Sequence, residues 1–152
     1  MSIADRIENK ELLAKLLPVE EAVKFVPPHG TLAISGFTKA GEPKTFLPAL
    51  AKHFRENVPD ARISLFTGAS LSEEVEGPIA PFLSKRGPYM SSSATRKLIH
   101  QNRVDFADIH LSMFARNLMY GFHGEIDCAV VEVSRIRPDG SIILSSSVGV
   151  SA

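Results

Sequence analysis

The sequence predicts an α/β domain with a mostly parallel sheet and right-handed helical crossovers. Short apolar runs rich in β-branched residues alternate with segments whose apolar residues recur at helical spacing. This alternation is typical of strand–helix–strand units, in which parallel strands need a crossover helix between them. The chain has 152 residues and neither an internal repeat nor a low-complexity linker, which predicts a single domain over residues 1–152.

Two short helices and a strand are predicted first. Four leucines over residues 12–17 form a stripe of helical spacing, which ends at Pro18. Residues 19–26 place an alanine and two valines on one face of a second short helix. A turn containing two prolines and Gly30 then leads into a strand over residues 31–35.

A longer helix and a second strand follow. Phenylalanine, leucine and alanine recur at helical spacing over residues 43–57, and Pro43 suits the first turn of that helix. A Val-Pro-Asp break separates the helix from a strand over residues 62–66. Residues 70–93 contain three prolines, so this stretch is predicted to be irregular, with one short helix near residues 79–84.

The last third of the chain is predicted to add two crossover helices and a hairpin. Apolar spacing predicts helices over residues 94–102 and 112–122, with a short strand over residues 106–111 between them. A β-branched run predicts a strand over residues 127–133. An Arg-Pro-Asp-Gly turn in hairpin position then joins it to a strand over residues 141–144.

The composition argues against several kinds of partner and location. Acidic and basic residues balance at 17 each, which argues against a basic surface for nucleic acid or an anionic membrane. No apolar run reaches the ~20 residues that cross a bilayer, and the N-terminus lacks the long apolar core of a secretory signal. We therefore expect a cytoplasmic protein with no nucleic-acid or membrane partner.

The scarcity of cysteine argues against a disulfide framework and a metal centre. Cys128 is the one cysteine, and its apolar surroundings in the sequence predict an inert buried thiol. The five histidines are scattered without metal-ligand spacing, so no metal site is predicted.

Three small, hydroxyl-rich loops each follow a predicted strand, at residues 35–44, 67–70 and 145–149. The carboxyl ends of parallel strands gather at one edge of an α/β sheet, and ligands bind there. Glycine lets the backbone approach a ligand closely, and the first amides of the helix near Pro43, with Lys44, favour anions. The predicted substrate-binding residues are Ser35, Gly36, Phe37, Thr38, Gly41, Lys44, Thr67, Gly68, Ala69, Ser70, Ser146, Ser147, Val148 and Gly149.

Each loop also has a purely structural interpretation. The glycines of the first loop permit a tight turn between strand and helix, and Ser70 is suited to cap a following helix. The three serines at 145–147 are equally compatible with the end of an edge strand. Both interpretations stay open at the level of the sequence.

A few other charged and polar residues are candidates for chemistry. Glu132 interrupts an apolar run, and is either a nucleophile, a solvent-facing sheet residue or half of an ion pair with Arg96 or Arg116. His110 and Ser112 lie close in sequence, but no third group completes a hydrolytic set.

The remaining charged residues and histidines have simpler interpretations. Glu125 is predicted to be solvated, and the other four histidines to be exposed or to cap helices. The charge clusters are predicted to be solvated loop faces; they comprise Glu73, Glu74, Glu76, Lys85 and Arg86.

The three loops, in this order, resemble the acetyl-CoA hydrolase/transferase family. Ser-Gly-Phe-Thr at 35–38, Ala-Gly at 40–41 and Pro-Lys at 43–44 are similar to the SGFTxAGxPK signature of that family. The resemblance runs over nearly the whole chain from about residue 20, through segments at 65–70, 88–89, 94–97, 108–112, 121–122, 130–134 and 145–149. Val150 departs from the family pattern, which usually has an asparagine at this position.

The resemblance implies a domain like those of family I CoA-transferases. Family members are about three times longer, and their C-terminal domain carries the nucleophilic glutamate. This chain would then be the N-terminal domain alone, without the C-terminal catalytic domain, and would contain no catalytic residue. Its ending just past a strand, inside a candidate loop, gives the same expectation of a piece of a longer protein.

The implied activity is transfer of CoA between short carboxylic acids such as acetate and succinate, or hydrolysis of acetyl-CoA. Transfer would proceed through a glutamyl thioester formed on the other half of the protein. Coenzyme A would be a substrate, no other cofactor is expected, and this chain would supply one wall of the site. Alternatives are a non-catalytic module that binds CoA or anions, and one subunit of a split transferase. We expect a homodimer, or assembly with a C-terminal half or partner subunit.

Overall fold

A five-stranded parallel sheet organises the domain. The computed structural model describes residues 3–149. The strands occur in the spatial order β4-β3-β2-β1-β5, and every neighbouring pair is parallel. Their bounds are β1 (Thr31–Ile34), β2 (Ile63–Thr67), β3 (Leu83–Gly87), β4 (Asp105–Phe106) and β5 (Cys128–Val130). The predicted α/β domain with a mostly parallel sheet is confirmed.

Helices connect these strands, and a hairpin follows the last of them. The hairpin forms a separate antiparallel sheet of two strands, β6 (Val133–Ile136) and β7 (Ile142–Leu144). The α-helices are α1 (Lys10–Leu13), α2 (Val19–Ala22), α3 (Phe46–Asn57), α4 (Glu73–Glu76), α5 (Ser93–His100) and α6 (Leu111–Met119). Short 3-10 helices cover Ala4–Arg6, Val23–Phe25 and Ala80–Phe82.

The main core lies between α3 and one face of the sheet. Leu47, Leu50 and Ala51 of α3 are fully buried, as the helical spacing of apolar residues predicts. Phe54 on the same face packs against Phe82, with ring centroids 5.6 Å apart. Packing of this amphipathic helix positions the loop that enters it, which belongs to the candidate site.

The opposite face of the sheet packs against α6. Phe114 of α6 is fully buried, and its ring centroid lies 6.0 Å from that of Phe66 in β2. Large apolar side chains stay exposed where α6 ends; they are Met119, Tyr120 and Phe122. Of the helices in residues 3–149, none combines the length and apolar character that a membrane span requires.

The third strand was missed from sequence. Residues 79–84 were expected to form a helix, but a 3-10 turn ends at Phe82 and β3 begins at Leu83. The strand sequence Leu-Ser-Lys-Arg-Gly carries two cations, so it lacks the apolar run by which a buried parallel strand is recognised. The cation that β3 buries, Arg86, is neutralised by a contact that only folding creates, as described below.

Several predicted boundaries are also wrong. The first helix lies at residues 10–13 and not at 12–17. The strand expected over residues 106–111 is only two residues long, Asp105–Phe106; residues 107–110 have no regular secondary structure, and α6 begins at Leu111. The run over residues 127–133 divides, since β5 ends at Val130 and β6 belongs to the hairpin.

The long helix begins at Phe46, three residues later than expected. Pro43 lies in the preceding loop, where its carbonyl accepts a hydrogen bond from the Phe46 N–H at 3.2 Å. Pro48 instead occupies the first turn, where a helix needs no N–H donor from it. Lys44 is therefore an exposed loop residue just before the helix.

Candidate functional site

The order of the strands identifies the edge of the sheet where a ligand is expected. The chain passes from β1 through β2 and β3 to β4 in one direction, and β5 then pairs with the other side of β1. The strand order therefore reverses between β1 and β5. In open parallel sheets, ligands bind beside the carboxyl ends of the strands at such a reversal.

The loop after β1 forms a tight turn at this edge. Phe37 and Ala40 exchange two backbone hydrogen bonds, of 2.9 and 3.1 Å. Thr38 and Lys39 between them have φ values of 50° and 75°, as a type I′ turn requires. The turn thus satisfies part of its own backbone, and its tip is exposed to solvent.

The structure brings the three predicted loops together. The Lys39 N–H donates to the Ser70 carbonyl at 3.3 Å, which joins the first loop to the second. A Cβ placed on Gly41 would lie 3.3 Å from Cβ of Ser147. A Cβ placed on Gly149 would lie 3.5 Å from the Gly36 carbonyl oxygen. Ligand binding by these loops stays a prediction.

Two hydroxyl groups predicted to bind substrate are engaged within the fold. Ser35 is buried, and its Oγ donates to the Gly41 carbonyl at 2.7 Å and accepts from the Glu132 N–H at 2.8 Å. Thr67 is also buried and donates to the Ala69 carbonyl. These side chains therefore hold the loops in place.

The other predicted residues divide by exposure. Gly36, Gly41, Gly68 and Ala69 are buried beneath the edge, and Ser70 and Ser147 are partly buried. The members of the set that are exposed to solvent are Phe37, Thr38, Lys44, Ser146, Val148 and Gly149. Val150, whose departure from the family pattern was noted, lies outside the described residues.

A buried glutamate that the sequence did not single out joins the first loop to the start of α4. Glu42 follows Gly41 and is 2% exposed, and its Oε2 accepts a hydrogen bond from the Ser72 N–H at 2.7 Å. No pattern in the sequence signals this role, because glutamate is ordinarily exposed.

The charge clusters contain a fully buried ion pair, so their prediction as solvated loop faces is wrong for two members. Arg86 and Glu76 are both 0% exposed. Arg86 Nε and Nη2 donate to the two carboxylate oxygens of Glu76, each at 3.0 Å. Buried charges are tolerated when paired and hydrogen-bonded in this way. The sequence gives no sign of the pairing, since it depends on α4 packing beside β3.

Glu73 is solvent-exposed, yet it has a structural partner. Its carboxylate accepts hydrogen bonds from the Ser93 N–H at 2.8 Å and the Ala94 N–H at 3.3 Å, at the start of α5. Burial acts to raise the pKa of Glu73, but these hydrogen bonds and those from the Ser93 and Ser92 hydroxyls outweigh it, so the pKa lies below its ordinary value.

Replacing Glu73 by alanine is expected to lower the free energy of unfolding by about 1 kcal/mol, because α5 loses acceptors for its first amides. With the folded pKa lowered, the stabilisation is present above the ordinary value of 4.5 and is lost as pH falls through the folded pKa. Urea unfolding at pH 7 and pH 3 measures this. Glu73→Gln is the control for the role of the charge. If Glu73→Ala lowered the free energy of unfolding equally at pH 7 and pH 3, the prediction would be contradicted.

The candidate nucleophile Glu132 has neither expected arginine partner. In residues 3–149, Arg96 contacts the Ser91 carbonyl and Arg116 contacts the Met113 sulfur, and no ion pair to Glu132 forms. Its main role in the fold is through its backbone N–H, which bonds Ser35. Glu125 is exposed, as expected.

The histidines follow the sequence prediction in part. His110 Nδ1 lies 2.8 Å from Ser112 Oγ, and both residues are exposed at the start of α6. Within residues 3–149, no third group hydrogen-bonds to this pair. His123, expected to be exposed or capping, instead stacks against Phe66 with ring centroids 5.4 Å apart, and its Nε2 is buried.

A small apolar cavity opens beside the strand reversal. Its volume is about 160 Å³, and residues of β1, β2, β5 and α6 line it together with Ser35 and Val131.

Cys128 in β5 is half-buried. Burial is the larger cause, and the negative charge of Asp127 the smaller cause, of a raised pKa of its thiol. Within residues 3–149 no group of three or more His, Cys, Asp or Glu side chains is placed to hold a metal ion.

The sheet order and the carboxyl-edge loops define an α/β domain with the fold of acyl-CoA transferases. The chain superposes on an acyl-CoA transferase apoenzyme from Escherichia coli O157:H7 with a TM-score of 0.60 and 20% identity, covering 72% of this chain and 23% of that one. The thioester complex of that transferase with CoA gives a TM-score of 0.61.

Residues 1–152 match the family model described as acetyl-CoA hydrolase/transferase N-terminal domain. This chain belongs to that family. It is 40% identical over 138 residues to a propanoyl-CoA:succinate CoA transferase of Escherichia coli K12, covering 88% of this chain and 28% of the relative. It is 35% identical to an acetyl-CoA hydrolase of Kluyveromyces lactis, covering 97% of this chain and 30% of that protein. The chain thus spans less than a third of the length of these relatives.

Proposed function

We propose that this domain forms one wall of an acyl-CoA site in a CoA-transferase or acetyl-CoA hydrolase. The observation that carries the proposal is the meeting of three glycine- and serine-containing loops at the carboxyl edge, next to the reversal of strand order. The proposal agrees with the activities for which the two relatives are named, which are CoA transfer to succinate and hydrolysis of acetyl-CoA.

The exposed parts of the edge suggest how the substrate would bind. The phosphates of CoA would lie near Lys44 and the N-terminal end of α3, where a positive charge and the helix dipole both favour anions. The partly buried Ser70 would offer a hydroxyl to the acyl or carboxylate oxygen. Phe37 and Val148, which are exposed on neighbouring loops, would contact the apolar part of the pantetheine chain.

The covalent chemistry would be performed by a glutamate outside this chain. That group would attack the thioester, release the CoA thiolate and form an acyl-glutamyl anhydride. The thiolate would then attack the glutamyl carbonyl of the anhydride, releasing the first acid as its carboxylate and leaving a glutamyl-CoA thioester. The incoming carboxylate would attack this thioester, and the same two steps in reverse would form the new acyl-CoA and free the glutamate. Each attack creates an oxyanion, and backbone N–H groups at the edge would stabilise it.

The proposal is tested by measuring both binding and turnover by the 152-residue chain. We expect acetyl-CoA to bind measurably by calorimetry, and a mixture of acetyl-CoA and succinate to remain unconverted in chromatography. Formation of succinyl-CoA would contradict the half-site proposal and direct attention to Glu132 and Glu125. Absence of binding would contradict the assignment of these loops to the acyl-CoA site.

A non-catalytic binding module is the second candidate. Like the first proposal, it requires no nucleophile in this chain, which agrees with Glu132 bonding Ser35 through its backbone N–H and having no ion-pair partner within residues 3–149. Co-purification of the chain from its native source with a polypeptide that restores transferase activity would contradict this candidate and support a split enzyme.

A further inference from the structure

The face of the sheet that packs against α6 is only partly covered. α6 lies over β2, where Phe114 packs against Phe66. An α-helix is about 10 Å wide and neighbouring strands lie about 4.8 Å apart, so one helix covers about two strands. On the same face, Ala129 of β5 is exposed and Ala33 of β1 is only half-buried. The apolar cavity described above is therefore a groove over β1 and β5, beside α6.

The sequence of β5 is typical of a strand inside a sheet and not of a strand at its edge. Cys128–Val130 and the following Val131 form an apolar run without a charge. Parallel strands with such runs are buried on both faces, whereas edge strands that meet water are usually protected by charged residues or proline. Cys128 and Val130 pack against the main core, but Ala129 and Val131 line the groove. Within residues 3–149, no strand pairs with the outer edge of β5.

The handedness of the strand connections indicates what kind of element covers this face. From β1 to β4 the chain moves in one direction, and the helices α3 and α5 of these connections pack against the main core. From β4 to β5 it moves in the opposite direction, and α6 lies on the other face. Connections between parallel strands are right-handed in about 98% of cases. A further step in the direction of β5, onto a strand beyond it, therefore places its helix on the face of α6, over β1 and β5.

The loop at residues 145–149 lies where such a helix has to start. A crossover helix begins at the carboxyl edge of a parallel sheet and returns to the amino edge. The loop is at the carboxyl edge beside β1, since a Cβ placed on Gly149 would lie 3.5 Å from the Gly36 carbonyl oxygen. This chain spans 28% and 30% of the two relatives described above, so their remaining length can supply a helix and a strand.

We propose that the groove is a docking surface for an amphipathic helix from the part of the family protein that this chain does not span. The strand that follows this helix pairs in parallel with the outer edge of β5. The small side chains of Ala33 and Ala129 let the helix approach the sheet closely, and its apolar stripe contacts Leu118 and Val131. This inference goes beyond the proposed function, because the groove lies on a face of the sheet and the substrate loops lie at its edge.

The test compares the accessibility of a thiol at position 129 in two proteins. One is the 152-residue chain, and the other is a full-length chimera in which this chain replaces the matched part of the Escherichia coli K12 relative. Both carry Cys128→Ala and Ala129→Cys, and mass spectrometry follows the reaction of this site with N-ethylmaleimide. We expect rapid reaction in the 152-residue chain and about 100-fold slower reaction in the chimera, where the thiol reacts only after local opening. Equal rates would overturn the proposal.

Arg55→Cys in the same Cys128→Ala background is the matched control. Arg55 is exposed on α3, which packs on the opposite face of the sheet. We expect its replacement to react at equal rates in the two proteins, so that slowing is confined to position 129. Equal slowing at both positions would contradict the assignment of the docked helix to the groove.

A second copy of this chain is the other possible occupant, and the same labelling identifies it. Light scattering is measured on the 152-residue chain, and labelling is repeated at rising concentration. Dimer formation together with slower reaction at position 129 in the chain alone, and no further slowing in the chimera, would overturn the proposal in favour of a homodimer.

If the chimera does not fold, the comparison is made in the full-length Escherichia coli relative, with the residue aligned to Ala129 replaced by cysteine. Rapid reaction there would overturn the proposal, and slow reaction would support it. Neither measurement involves a CoA ligand. Failure of the 152-residue chain to bind acetyl-CoA would therefore contradict the proposed function and leave this result unchanged.

Discussion

Arg86→Met is expected to lower the free energy of unfolding by about 3–5 kcal/mol, because it leaves the Glu76 carboxylate buried without a partner. Both side chains of the pair are fully buried, so water cannot replace the arginine without opening the core. Three backbone carbonyls would lose a donor as well. Urea unfolding followed by circular dichroism measures the change.

Two further variants test whether the loss of stability comes from leaving a buried charge unpaired. Arg86→Met combined with Glu76→Leu is expected to recover much of the loss, since apolar residues of similar volume often replace a buried pair without net cost. Lys24→Met breaks the exposed pair between Lys24 and Glu21, whose side chains are 53% and 52% exposed, and is expected to change stability by less than about 0.5 kcal/mol. Similar losses in Arg86→Met and Lys24→Met would show that burial of the ion pair has been misassigned.

Gly36→Val is expected to lower the free energy of unfolding by about 2–5 kcal/mol, the sum of backbone strain and overpacking. Gly36 has a φ of 134°, which residues with a side chain rarely adopt. A Cβ there would also lie 3.0 Å from Leu71 Cδ2 and 3.4 Å from the Glu42 Cα. In a full-length relative with the same loop, we expect CoA affinity and turnover to fall too, because the loop would move.

The control for strain alone is Gly121→Val. Gly121 has a φ of 70°, but a Cβ added there meets nothing within 4 Å. We expect this variant to lose only the contribution of strain, about 1–3 kcal/mol, and to retain acetyl-CoA binding. Unchanged CoA affinity and turnover in Gly36→Val, with the protein still folded, would mean that the first loop does not belong to the site.

The local elements with strong periodic patterns were predictable. Apolar spacing identified α3, and the turn before Gly140 identified the hairpin, because these signals arise from residues close in sequence. β3 was missed, since its buried cation hides the pattern of a central strand. The start of α3 was placed too early because Pro43 and Pro48 both satisfy the rules for a first turn.

The sequence was sufficient to predict which loops form the candidate site, but not what each side chain does there. Parallel strands bring their carboxyl ends to one edge, so three loops with small and hydroxylated residues were expected to meet there. Ser35 and Thr67 proved to be buried supports, and exposed Phe37 and partly buried Ser70 remain available to a substrate. Glu42, Glu76 and Arg86 carry no local signal, because their partners are 10 to 30 residues away along the chain.

The fold class and the family can be read from the order of elements and motifs in the sequence. Alternating periodicity predicts the strands and helices, and the order of the loop motifs indicates the family. Whether each polar group is buried and paired, or exposed to solvent, is decided by tertiary packing. A carboxylate or guanidinium is costly to bury alone and tolerable when paired, so whether it lies in water or in the core depends on which distant group the fold places beside it. For Glu76 and Arg86, that group is supplied by the packing of α4 against β3.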